Sequence, residues 1–330
     1  MKPDDRTVML FFKDFERDSF LPGDRYLKRL ARPVLVRTRK RHSTSGFRVW
    51  FERLAMALRL QGYDVLVNDY RAARRAPTFP VGLVGYPHLL DDWTLPNPAV
   101  LGPCLHDHPE QAPTLMEDER FRTYVLTCDW MIDLFAHHFP REQIGRWYAG
   151  IDLQQWPDTR QQPKSFDVLV YDKIRFDRDE VVDALLTPIL DRFERDGVRY
   201  SVVRYGAYNY ATYQALLQQS RSMLFLCEHE TQGMAYQEAM AMNVPVFAWQ
   251  PGTWRDPARL SFKLSDIPAQ SVPYFSERCG ETFRDLAEFD LKAQSFFDRI
   301  DTFTPREYVK DHLSLAGSAE LYLSHYNALR

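Results

Sequence analysis

The stretch CEHETQGMAYQEAMAMNVPVFAWQPG places two carboxylates, Glu230 and Glu238, eight residues apart around Gly233 and an expected helix start. A short apolar run, Met223 to Cys227, precedes it and a second, Val244 to Trp249, follows, so the segment reads as strand, loop, helix, strand. The free amides at such a helix start favour anions. Glu230 precedes the helix and can face those amides, and Glu238 falls about one turn beyond Met234. Taken alone, both also fit as a loop carboxylate and a solvated helix residue.

Cations stand upstream. FDVLVY, residues 166 to 171, predicts a strand and is followed by Lys173 and Arg178, then by a helical run from Glu180 to Phe193. Fixed cations beside a phosphate stabilise charge that grows there in a transition state. A charge run after a strand serves equally as a solvated surface. LGPCLHDHPEQAP sets His106, Asp107 and His108 just after another expected strand, where ligands of parallel α/β sheets collect. A zinc reading needs further ligands, and His137 and His138 lie in a separate helix-like run, so no metal site is assigned.

These segments together resemble the retaining GT-B glycosyltransferases, in particular family four. Its pattern of glutamate, seven residues, glutamate, Ala-Met-Ala and Pro-Val is carried by Glu230, Glu238, Ala239, Met240, Ala241, Pro245 and Val246. The resemblance implies that Glu230 contacts the donor sugar, that Glu238 holds the ribose, and that Gln232, Gly233 and Met234 lie against the diphosphate at the helix start. It also implies that Lys173 and Arg178 bind the diphosphate, with the family's two cation types exchanged, and that His106 with Asp107 lies near the sugar, His108 being the alternative. Two departures are visible: Gln232 stands where an aromatic residue is usual, and Met242-Asn243 replaces Cys-Gly.

The elements required to position these groups are those of an α/β chain. Strands are expected at Val8 to Phe12, Val34 to Arg37, Tyr63 to Val67, Val81 to Gly85, Val100 to Leu105 and Thr123 to Thr127, with Phe47 to Gln61 the clearest helix, capped by His42 to Gly46. Further on, Tyr200 to Tyr205 predicts a strand and Tyr210 to Gln219 a helix, and GxGxxG occurs in neither half. The family's Gly-Ile-Asp is matched at Gly150, Ile151 and Asp152. The resemblance then implies two Rossmann-like domains facing each other across a cleft: residues 1–152, a linker 153–165, a donor domain 166–304, and a helical segment 305–330 crossing back to the N-domain. The last segment is helical in character, with Gly317 weakening its middle.

Composition bounds the rest. The 330 residues suffice for two domains, and 45% hydrophobic with 26% charged content marks a globular chain. No signal peptide or membrane span is read, and Cys104, Cys128, Cys227 and Cys279 have no paired spacing, which suits buried thiols in a reducing cytoplasm. The formal charge is −3, yet Arg25, Lys28, Arg29, Arg32, Arg37, Arg39, Lys40 and Arg41 form a stretch with no acid. That stretch suits an anionic membrane surface at the inner face, or a solvated surface; no motif for reading nucleic acid accompanies it.

The implied activity is retaining transfer of a hexose-like unit from a UDP- or GDP-linked sugar to a saccharide, lipid-linked or small-molecule hydroxyl, as in envelope polysaccharide synthesis, without cofactor or metal. The alternatives are a non-catalytic nucleotide-sugar or glycan-binding module, and a sugar-nucleotide hydrolase or epimerase of the same fold.

Overall fold

The computed structural model describes residues 3–13 and 46–330. The expected strand Val34 to Arg37, the basic stretch Arg25 to Arg41 and the cap residues His42 to Ser45 lie outside the described residues. The chain divides into two compact units. The first takes Met1–Leu126, Phe139–Gly145 and Ala319–Arg330, and the second takes Thr127–His138 and Arg146–Ser318.

The first unit is built on six strands: β1 (Thr7–Lys13), β2 (Asp64–Val67), β3 (Val81–Gly85), β4 (Ala99–Leu101), β5 (Phe121–Leu126) and β6 (Ile144–Arg146), in the order β2-β1-β3-β4-β5-β6. β1 pairs in parallel with β2 and β3, and β4 in parallel with β3 and β5. Val8 to Phe11 are fully buried, as a parallel strand covered on both faces requires. Along the helix Gly46–Leu60, Trp50, Phe51, Leu54, Ala55 and Leu58 are buried; the three- and four-residue spacing gathers them on one stripe. β4 is shorter than expected because Gly102 at φ 85° and Cys104 at φ 76° turn the chain.

The end of the chain returns to this sheet. Tyr326 Oη accepts from Met9 N at 2.9 Å and donates to Pro80 O, and Arg330 donates to Asp5 O and Thr7 O, both at 2.7 Å. Tyr322 lies so close to β3 that a Cβ on Gly82 would collide with its hydroxyl. The helical break falls not at Gly317 but at Leu313 and Ser314, between helices Pro305–His312 and Leu315–Asn327.

The second unit holds β7 (Phe166–Lys173), β8 (Tyr200–Arg204), β9 (Ser220–Cys227), β10 (Val246–Trp249) and β11 (Gly280–Phe283), in the order β11-β10-β9-β7-β8 and all parallel. One face buries Phe247, Phe283, Phe289 and Phe296 together, with Phe247 stacked on both Phe289 and Phe296. β9 starts three residues earlier than the apolar run suggested. Ser220 and Ser222 enter the interior because their hydroxyls donate to Leu216 O and Asp167 O, both at 2.8 Å. Between Arg178–Val181 and Thr187–Arg195 the expected helix passes through a π-turn, Val182–Leu186. In the aperiodic stretch after Asp152, Trp156 is buried edge-on against Tyr210 and Tyr213, and Arg306 donates to its carbonyl at 2.6 Å. Among the described residues no helix is long and apolar enough to cross a membrane.

Candidate functional site

Strand pairing in the second unit brings three loops to one end of the sheet. Lys173 is in register with Cys227, so residues 174–178 after β7 adjoin residues 228–233 after β9. Arg204 is in register with Asp172 on the other side of β7, so the loop after β8 leaves beside the same point. The carboxyl ends of β8, β7 and β9 therefore bring together Lys173, Glu230 and the start of the helix Met234–Ala241, residues far apart in sequence.

Lys173 Nζ pairs with Glu230 Oε1, and the two side chains are only 13% and 12% exposed. Burial, the largest single influence, works against the ammonium, but the charge and hydrogen bond of Glu230 together with neighbouring Cys227 leave the Lys173 pKa above its ordinary value. Cys227 Sγ lies 3.6 Å from the same oxygen, and burial pushes its thiol well above the usual range, so it is a neutral donor. Glu230 N donates to Gln270 O at 2.8 Å and its carbonyl accepts from Trp130 Nε1 at 2.9 Å, which fixes the backbone beneath the pair.

Gly233 caps the helix in the left-handed region, at φ 81° and ψ 58°, and a Cβ there would collide with the buried ring of Tyr236. The helix therefore opens onto Glu230 and Lys173 with its first amides beyond the reach of intrahelical carbonyls. Met234 begins it, half-buried. Glu238 is buried one turn on, and its Oε1 accepts from Tyr210 Oη at 3.0 Å. Gln232 is fully buried: its Oε1 accepts from Ala149 N at 2.8 Å, while Nε2 donates to Ala149 O at 2.8 Å and to Gln237 Oε1 at 3.0 Å. Both amide protons are thus engaged within the protein.

Arg178 takes a different place from Lys173. Its Nη1 donates to Asp172 Oδ1 at 2.9 Å and to Ile174 O at 2.8 Å, and its Nη2 to Asp172 Oδ2 at 2.5 Å, with Asp172 buried. This two-pronged pair closes the turn from β7 into the next helix.

Two residues without a motif complete the cluster. Glu228 is fully buried, and its Oε1 accepts the backbone amides of Arg175 at 2.7 Å and Phe176 at 3.0 Å. Arg175 Nε faces Glu228 Oε2 at 3.5 Å, and Nη2 donates to His229 O at 3.0 Å. Burial opposes the charge on Arg175, and Glu230 and Glu228 hold it all the same. His229 lies face to face with Phe176, 5.8 Å between centroids, and edge-on to Trp130 and Trp254. Burial first, then Arg175 and Lys173, push its pKa down to about 3, so the ring is neutral. Arg175 and Glu228 escaped sequence reasoning because only the β7–β9 register joins positions 53 apart.

His106 belongs to the first unit, half-buried, with its backbone amide donating to Tyr124 Oη at 2.9 Å. Burial lowers its pKa against the pull of Asp91. His108 is fully buried and acts as a cap: Nδ1 accepts from Glu110 N at 3.2 Å, while Gln111 Oε1 accepts from His108 N and Asp107 N. Of the two histidines, only His106 retains partial access to solvent. Among the described residues no group of three His, Cys, Asp or Glu side chains could hold a metal ion.

No family model and no curated protein matches the sequence. Solved structures do. The chain is similar to a glycosyltransferase from Rickettsia africae ESF-5, with TM-score 0.53 at 10% identity over 98% of each chain. It is also similar to sucrose-phosphate synthase from Thermosynechococcus elongatus, with TM-score 0.50 at 11% identity over 98% of this chain and 99% of that one. Staphylococcus aureus TarM gives TM-score 0.49 at 11% identity over 75% of this chain and 54% of its own, so this chain spans about half of TarM. The two parallel sheets and the returning C-terminal segment are those of the GT-B fold.

Proposed function

We propose that the chain is a retaining glycosyltransferase that moves a sugar from a nucleotide diphosphate sugar to an acceptor hydroxyl. The observation that carries this reading is the buried Lys173–Glu230 pair set at the glycine-opened start of the helix Met234–Ala241. A cation, a carboxylate and free amides converging at one sheet end match a substrate with a diphosphate joined to a polyhydroxyl ring. Lys173 and the helix amides receive the diphosphate, and Glu230 orients the sugar hydroxyls. Glu238 holds the ribose, and Arg178 keeps the turn closed while adding its field.

In the reaction, the bond from the anomeric carbon to the phosphate oxygen breaks and the charge left on the phosphate is taken up by Lys173 and the amides. The acceptor oxygen bonds to the same sugar face, and its proton passes to the departing phosphate. No step calls for a metal. The basic stretch Arg25 to Arg41 supports a peripheral membrane position and a lipid-linked or envelope acceptor, which binding to anionic liposomes at low salt and release at high salt would test.

The primary experiment is a thermal-shift screen of UDP- and GDP-sugars, followed by product analysis with an acceptor panel in EDTA. Stabilisation by at least one donor, and a product whose anomeric configuration is that of the donor, are expected. Absence of any nucleotide binding at millimolar concentration sinks the proposal, and release of free sugar without acceptor replaces transfer by hydrolysis.

A further inference from the structure

The loop from β8 into the helix Tyr210–Gln218 reads YGAYNY, with tyrosines at 205, 208 and 210. It starts beside Lys173, since Tyr205 N donates to Asp172 O at 2.8 Å. The Lys173 ammonium lies over the Tyr205 ring, 4.5 Å from its centroid, yet the residue is 54% exposed. At the other end Tyr210 donates to Glu238 while remaining 45% exposed, its ring edge-on to buried Trp156 at 5.3 Å. Between them the Tyr208 and Tyr171 hydroxyls meet at 2.6 Å, and Asn209 caps the helix by accepting from Thr212 N at 2.8 Å. The loop is thus pinned at its middle and at both ends, with two aromatic rings left open to solvent.

An aromatic side chain half in water forgoes much of the stabilisation its burial would bring. Here two such rings stand on the two charged groups that the proposed function assigns to the diphosphate and the ribose. The remaining part of that donor is a flat aromatic base. We infer that Tyr205 and Tyr210 are the walls on which the nucleobase of the donor stacks. The inference rests on the proposed glycosyltransferase reading and adds a property to it. Stacking uses the π-face that every base has, so recognition by these rings discriminates weakly among bases.

Titration calorimetry of the full chain with UDP, GDP, ADP and inorganic pyrophosphate tests it. The three nucleotides should bind within about tenfold of one another and all more tightly than pyrophosphate. Tyr205→Ala and Tyr210→Ala should each weaken nucleotide binding on the order of tenfold and leave pyrophosphate binding unchanged, with Tyr205→Phe and Tyr210→Phe restoring most of it. Nucleotide binding that both alanine variants retain in full overturns the inference while the functional reading stands. So does an equal loss of pyrophosphate binding, which would mean that the rings act through Lys173, or a preference above about a hundredfold for one base. If the wild-type chain binds no nucleotide at all, both readings fall.

Discussion

Glu228 offers a measurable separation between a carboxylate that carries charge and one that holds a backbone. It is fully buried, accepts the amides of Arg175 and Phe176 at 2.7 and 3.0 Å, and faces Arg175 Nε at 3.5 Å. Glu228→Ala leaves two part-buried amides without their acceptor, at about 1–3 kcal/mol each, and deprives a part-buried guanidinium of its counter-charge. Discounting for the exposure of Arg175, whose side chain is 32% accessible, the loss should total about 3–5 kcal/mol. Glu228→Gln keeps a carbonyl oxygen for both amides and loses only the charge-assisted part, about 1–2 kcal/mol. Urea unfolding should therefore rank the variants wild type, Gln, Ala, with the melting temperature of Ala lower by on the order of 10 °C. A Gln variant as unstable as Ala, or an Ala variant within about 1 kcal/mol of wild type, refutes the clamp.

Further outcomes follow from the same geometry. Lys173→Ala should cut kcat/KM for the donor by about 30- to 1,000-fold, equivalent to 2–4 kcal/mol, and steady-state kinetics at saturating acceptor will read it. Arg178→Ala should also weaken donor use, but it leaves buried Asp172 without its counter-charge and should lower stability by about 3 kcal/mol in the same unfolding assay. Gly233→Ala forces a Cβ into the Tyr236 ring at a left-handed position and should cost about 2–4 kcal/mol together with donor affinity, checked by calorimetry and melting. His229 is neutral in the fold down to about pH 3, whereas the unfolded chain takes up its proton near 6.5. The unfolded state thus binds more protons between those values, so stability should fall by up to about 1.4 kcal/mol for each pH unit below 6.5, and His229→Phe should flatten that slope.

The fold was legible wherever burial is continuous along the chain. Val8 to Phe12, Val81 to Gly85 and Met223 to Cys227 announce themselves because parallel strands bury both faces. β11 went unread: Gly280, Glu281 and Thr282 carry no apolar pattern, and the strand exists because β10 pairs with it from Val246 to Trp249. The grouping of the candidate site residues was legible in part for the same kind of reason. Glu230, Gly233 and Glu238 sit within one local strand-to-helix turn, where spacing along the chain is spacing in space. Glu228, Arg175 and the open tyrosine rings depend on which strands lie side by side, and a single sequence does not display register.

The departures from the family pattern at Gln232 and at Met242-Asn243 bear on whether the site could still work. Asn243 lies in the left-handed region at φ 65°, just past the helix Met234–Ala241, and its amide donates to Met240 O at 2.9 Å. Glycine is the usual occupant of such a helix end because it has no Cβ, and asparagine is the side chain that tolerates it best. Its side-chain Nδ2 also donates to Asp158 Oδ2 at 3.0 Å and its Oδ1 accepts from Arg160 at 3.2 Å, which offsets the cost of the conformation. Gln232, for its part, anchors the segment before the helix to both backbone groups of Ala149. Gln232 and Asn243 thus each meet a local structural demand by other means and leave Lys173, Glu230 and Gly233 where they meet. Packing and capping account for Gln232 and Asn243, and donor consumption in the presence of acceptor is the measurement that separates transfer from a binding module.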